Sequence, residues 1–172
     1  IADRRLGIGC DQILIIEPAR LDGADVFMRV FNVDGGEVDA CGNGTRCVAA
    51  LVMAELGTKR IAVQTNAGIL EGMVREDGSV AVDMGPAKLE WQDIPLAHEV
   101  DTLALDLSVG TLSTPVAVNV GNPHAVFFID DEANVPLEDL GPRIETHAMF
   151  PERTNVEVAR ILPNGSIRLR VW

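Results

Sequence analysis

The chain has 172 residues, of which 47% are hydrophobic, and its 14 Lys and Arg against 26 Asp and Glu leave a formal charge of −12. That length suits one large domain or two small ones. Nucleic-acid affinity rests on Lys and Arg neutralising phosphates, so a chain this acidic with no basic cluster is not expected to bind nucleic acid. Tyr is absent and aromatics are 4%, which makes the core aliphatic and argues against base-stacking platforms. The three cysteines, Cys10, Cys41 and Cys47, are too few and too irregular for a disulfide framework. None has CxxC spacing, so no metal site is expected. The longest apolar run, Cys47 to Ala54, is far short of the roughly 20 residues that span a bilayer. With no signal-peptide pattern either, the expectation is a cytoplasmic protein with no membrane partner. The chain begins at Ile1 and stops at Trp172 in a strand-like run, so it is expected to be part of a longer protein.

Most of the sequence reads as short strands between turns. Gln12–Glu17 and Asp25–Asn32 are strand candidates, and Asp34-Gly35-Gly36 closes a tight turn after them. Gly44–Leu56 reads as a helix capped by Gly57. Its run from Cys47 to Ala54 leaves almost no polar face, which predicts burial on all sides inside a curved or barrel-like sheet. Arg60–Thr65, Ile69–Val74 and Ser79–Met84 read as a three-stranded meander. Gly85-Pro86 breaks the pattern, and an irregular acidic stretch follows to about Thr102, which places domains at 1–86 and 87–172. Leu103–Leu107, Pro115–Val120 and His124–Ile129 are the next strand candidates. A more polar helix from about Leu137 to Ala148 is expected on the surface. Val156–Leu162 and Ile167–Trp172 form a hairpin through Pro163-Asn164-Gly165. The class is α+β, with strand outweighing helix.

Ala40-Cys41-Gly42-Asn43-Gly44-Thr45-Arg46-Cys47 sets a thiol and two glycines before a helix. The first amides of a helix lack internal partners and carry partial positive charge. They suit a carboxylate, and they favour thiolate over thiol at Cys41. The competing reading is a cysteine buried in a tight turn. Cys47 is expected to be a small core residue, and Cys10 filler in a glycine-rich turn. Gly121-Asn122-Pro123-His124 holds the best general base in the chain, His124; the alternative is a structural turn histidine. His98 and His147 are expected to face solvent. Gln12, Asn32, Asn122 and Asn155 stand at strand edges, where amides hold an amino acid's charged groups or simply cap turns.

Five segments together resemble the diaminopimelate epimerase family. They are Gly9-Cys10-Asp11-Gln12, Phe31-Asn32-Val33-Asp34-Gly35, the Ala40–Cys47 loop, Gly121-Asn122-Pro123-His124 and Pro151-Glu152-Arg153-Thr154-Asn155, in the family's order. The resemblance implies a cofactor-independent epimerase that interconverts LL- and meso-diaminopimelate for lysine and peptidoglycan synthesis. It also implies two similar domains, each a curved mixed or antiparallel sheet wrapped round a central helix, and a homodimer. In this family two cysteines work on opposite faces of the α-carbon. By motif, Cys41 is one of them and His124 its partner. Gln12, Asn32, Asn122 and Asn155 match substrate-contacting positions, with Gly42 and Asn43 in the loop that receives the α-carboxylate. The family's first strand, and its segment leading to the second cysteine, have no counterpart here. The 172 residues are therefore expected to be inactive alone. Two alternatives stand beside this reading. One is a non-catalytic chain of the same fold that binds an amino acid. The other is a proline racemase-like enzyme, against which Asn43 argues, because those enzymes usually have histidine there.

Overall fold

The computed structural model describes residues 1–172 as two compact units, Ile1–Gly85 and Pro86–Trp172. In the first unit, β1 (Gln12–Pro18) and β2 (Val26–Asn32) form an antiparallel pair in a register running from Gln12 opposite Asn32 to Pro18 opposite Val26. A two-residue strand, β3 (Glu37–Val38), pairs with the other edge of β2 after the turn at Gly35. The chain then crosses through α1 (Gly42–Leu56) to β4 (Arg60–Thr65), which lies parallel to β2. A crossover helix is the usual way to join parallel neighbours. β5 (Gly68–Val74) and β6 (Val80–Asp83) complete an antiparallel meander, giving the order β1-β2-β4-β5-β6.

The helix α1 touches β1, β2, β4, β5 and β6, so the sheet curls over it. Val48, Ala49, Val52 and Met53 pack on Met28, Val30, Ile61 and Val63. Gly72 lies close under the helix: a Cβ there would sit 2.8 Å from the Ala49 Cβ and 3.1 Å from Ile61 Cγ2. The helix ends at Gly57, which adopts φ 67° and donates its N–H to the Met53 carbonyl. Enclosure on all sides is not what the structure shows. Arg46, Cys47, Ala50, Leu51 and Ala54 are exposed, Leu51 by 52%. The sheet covers only the Gly44–Thr45–Val48–Ala49–Val52–Met53 side. The apolar circumference records what the helix is able to bury, not what this chain lays against it. Cys47 is correspondingly a surface residue, not a core one.

The second unit holds β9 (Val116–Asn119), β10 (Pro123–Phe128), β11 (Asn155–Ile161) and β12 (Ile167–Val171) in the order β12-β11-β10-β9. The central pair, β10 and β11, is parallel, and both outer pairs are antiparallel. Its crossover is α2 (Leu137–Glu145), which buries Leu137, Leu140, Gly141 and Ile144 at helical spacing. The helix is thus half-buried, and it stops short of Ala148. Past Pro142, the Thr146 hydroxyl donates to the Pro142 carbonyl, and the chain turns through His147 to Phe150. His147 is half-buried and its Nδ1 accepts the Met149 N–H; His98 is exposed.

Leu103–Leu107 does not form a strand. Leu105 and Leu107 are buried, but Leu107 N–H donates to Leu105 C=O at 2.8 Å, a tight turn that breaks any ladder. Pairing begins only at β7 (Ser108–Val109) and β8 (Leu112–Ser113). The irregular stretch before it still supplies Ile94 and Leu96 to a core shared with Leu112, Phe127, Phe150, Val156 and Val158. No helix is long and apolar enough to cross a membrane.

Candidate active site

In the first unit the polar cluster is built on β1, β2 and the start of α1. Cys41 is the N-cap of α1, with extended φ −145° and ψ 109°. Its Sγ accepts the Gly44 N–H at 3.4 Å, the role usually taken by Ser, Asp or Asn. The same Sγ lies 3.2 Å from Gln12 Oε1, and Gln12 Nε2 donates to Asn32 Oδ1 at 3.1 Å. Gln12 and Asn32 face each other because they are register partners on β1 and β2. The cluster is neutral apart from whatever charge the sulfur carries.

Gly42 and Gly44 lie within the helix rather than in a left-handed turn. Their reason is space. A Cβ at 44 would be 3.0 Å from Leu14 Cδ2, and one at 42 would be 3.1 Å from Met84 Sδ. The amides of Gly42 and Asn43 belong to the first turn, where no intrahelical acceptor is available. The Asn43 side chain is exposed and accepts from Arg46. Thr45 is fully buried, with its hydroxyl donating to the Cys41 carbonyl. Cys10, half-buried, takes no part in this network.

In the second unit the cluster stands on the parallel pair β10 and β11. His124 is in register with Asn155, and Asn155 Nδ2 donates to the Pro123 carbonyl at 3.0 Å. His124 Nε2 lies 2.9 Å from Asn122 Oδ1. Its Nδ1 lies 2.6 Å from Oε1 of Glu157, a residue that the sequence reading does not single out. Glu157 is buried, and its other oxygen has no hydrogen-bond partner. A glutamate alternating with Val156 and Val158 reads as an outward-facing position of a half-exposed strand. Only the β10–β11 register reveals that it shares a sheet face with His124.

The predicted residues therefore gather as two groups, one per unit: Gln12, Asn32, Cys41, Gly42 and Asn43 in the first, and Asn122, His124 and Asn155 in the second. The first offers a thiol held at a helix N-terminus by amides. The second offers an imidazole held by a carboxylate and an amide.

The diaminopimelate epimerase family model matches residues 1–90 and 116–172. A diaminopimelate epimerase of Rhodospirillum centenum is 53% identical over all 172 residues, which cover 59% of its length. One from Acidiphilium cryptum is 52% identical, again over the whole chain and 61% of its own. The chain thus spans about three-fifths of the length of these relatives. Among solved structures, a hydroxyproline epimerase from Agrobacterium vitis with bound trans-4-hydroxy-L-proline aligns with TM-score 0.61 at 15% identity, over 95% of this chain and 54% of that one. A probable proline racemase from Agrobacterium radiobacter aligns with TM-score 0.64 at 17% identity, over the same shares. Those two likenesses concern the α+β fold, whereas the family model and the close relatives fix the kinship: the chain belongs to the diaminopimelate epimerase family.

Proposed function

We propose that these residues form part of a diaminopimelate epimerase that needs no pyridoxal phosphate and interconverts the LL and meso isomers by proton transfer at the α-carbon. The observation that carries this reading is Cys41 as a helix N-cap, its sulfur held by the Gly44 amide and Gln12. Cys41, at the helix N-terminus, is the group that takes the α-proton. The first-turn amides of Gly42 and Asn43 receive the α-carboxylate. Gln12, Asn32, Asn122 and Asn155 bind the amino acid's polar groups without adding charge, and His124 serves as a proton-transfer group. The product supplies lysine and peptidoglycan synthesis, and the enzyme works in the cytoplasm as a homodimer.

Inversion needs one group on each face of the α-carbon. A thiol fixed by a helix cap reaches only one, and Cys47 points from the opposite side of α1 into solvent. The 172 residues alone therefore give no meso isomer from LL-diaminopimelate above a no-protein control in chiral chromatography. A protein of the relatives' length carrying these residues gives it without added pyridoxal phosphate. Failure of that longer protein to convert the substrate overturns the reading.

A further inference from the structure

We infer that Glu157 is a positioning residue for His124: it holds the imidazole with the proton on Nδ1 and leaves Nε2 as the nitrogen that exchanges protons. The inference rests on the role proposed for His124, and it adds a residue outside the motifs that suggested that role.

The strand register creates the pair. On the parallel strands β10 and β11, His124 is opposite Asn155 and Val126 is opposite Glu157. His124 and Glu157 are diagonal neighbours on one sheet face, within reach of long side chains. On its other side Glu157 is in register with Val171. Valines thus flank the carboxylate in both directions. The Glu157 side chain is 5% exposed and that of His124 22%. A buried carboxylate with one oxygen unsatisfied is costly unless it has a compensating partner. Oε1 finds its partner in His124 Nδ1 at 2.6 Å, while Oε2 finds none.

The two groups that flank the ring differ in what they can enforce. An amide side chain turns to offer either its oxygen or its NH₂, so Asn122 at 2.9 Å from Nε2 accommodates either state of that nitrogen. An ionised carboxylate only accepts. Glu157 is therefore the member that decides which nitrogen carries the proton in the neutral ring, and it fixes the ring plane while doing so. This is the logic by which a carboxylate orients a catalytic histidine in other proton-transfer sites.

The test is nitrogen-15 NMR of the imidazoles in this chain, at a pH where the rings are neutral. His124 is assigned by comparison with His124→Gln, and amide spectra of every variant verify the fold. In the parent, His124 is expected to show a protonated Nδ1 and a pyridine-like Nε2. Glu157→Gln, which keeps the shape and removes the obligate acceptor, is expected to lose that predominance and to move the Nε2 resonance towards the protonated type. Glu157→Asp, which keeps an acceptor, is expected to restore the Nδ1–H form at least in part. A parent ring protonated mainly on Nε2, or an Nδ1–H ring unchanged in folded Glu157→Gln, overturns the inference. The measurement needs no substrate. Failure of the role proposed for His124 would appear separately, as undiminished epimerisation by a His124→Ala variant of the longer protein.

Discussion

On the proposed function the two clusters share one task, holding a proton-transfer group still, and they meet it by different means. At Cys41 the restraints are neutral: a helix N-terminus, the amide side chain of Gln12 and two glycines cleared of side-chain bulk. At His124 a neutral amide, Asn122, is joined by a charged restraint: a buried glutamate brought alongside by parallel pairing across α2. The difference suits the groups held. A sulfur that takes on negative charge is stabilised by oriented N–H dipoles, whereas an imidazole with two distinct nitrogens needs an acceptor that selects one of them.

The sharpest way to break this contrast is to remove the thiol. In a protein of the relatives' length, Cys41→Ala is expected to abolish epimerisation and α-proton exchange in D₂O while leaving the circular dichroism spectrum unchanged. Serine is a poor rescue, because an alcohol ionises far less readily than a thiol. His124→Ala is expected to cost about 10²- to 10⁴-fold in rate, the usual contribution of a general acid or base. If the two losses come out in the opposite order, the sulfur is the accessory group and the imidazole the essential one.

Packing tests the first unit's side of the contrast. Gly72 has no room for a methyl group against Ala49 and Ile61. Gly72→Ala is expected to lower stability by about 1–3 kcal/mol, the range for overpacking a close-packed interior. Denaturant titration measures it. A neutral result would mean that α1 shifts on the sheet, and the Cys41–Gln12 contact would then have to be judged in that variant.

The second unit contains another buried carboxylate, Glu132, which makes the useful contrast with Glu157. Arg168 Nη1 lies 3.2 Å from its Oε1 and Arg160 Nη1 3.8 Å from its Oε2. Arg170 meanwhile donates to the carbonyls of Glu132, Ala133 and Val135. The backbone N–H of Glu132 itself holds the Glu132 carboxyl below the ordinary glutamate range, with burial opposing and Arg168 assisting. The native state therefore binds this proton less readily than the unfolded chain does. The stabilisation is present above the unfolded chain's value, about 4.3 for glutamate, and is lost as pH falls through the lower folded value. The Tm gap between the parent and Glu132→Gln should shrink as pH is lowered below about 4. A gap that stays constant with pH would assign the effect of Glu132 to packing.

Much of this was legible from residue order. The β4–β5–β6 meander, the Asn164-Gly165 hairpin and the Gly57 cap follow from turn chemistry that acts within a few residues. The position of Cys41 at the head of α1 is equally local. Other features escaped because they depend on distant residues or on a single local turn. Gly42 and Gly44 were legible as special but for a different reason, since the side chains that crowd them, Leu14 and Met84, come from distant sequence. Alternating leucines at 103, 105 and 107 satisfied the strand pattern, yet a single tight turn removed the ladder. Glu157 required the register of two strands joined by a crossover, which no local pattern encodes.

The smallest expected effect concerns the other face of α1. The apolar run of α1 placed Cys47 in the core, and the structure places it on the surface beside Ala50, Leu51 and Ala54. An exposed position contributes little to stability, so Cys47→Ser is expected to change it by no more than about 0.5 kcal/mol. A buried thiol would behave otherwise, because the hydroxyl would need a partner that an apolar core does not provide. The chemical counterpart is labelling. Under native conditions a bulky maleimide is expected to modify Cys47 fully, and mass spectrometry of the peptide that carries it reads the result. Protection of Cys47 in the folded chain, or a loss of 2 kcal/mol or more on substitution, would mean that something lies over this face of α1. Repeating the labelling across a range of protein concentrations would then identify a second copy as the cover if protection rises with concentration. Protection independent of concentration would place the cover within the chain itself.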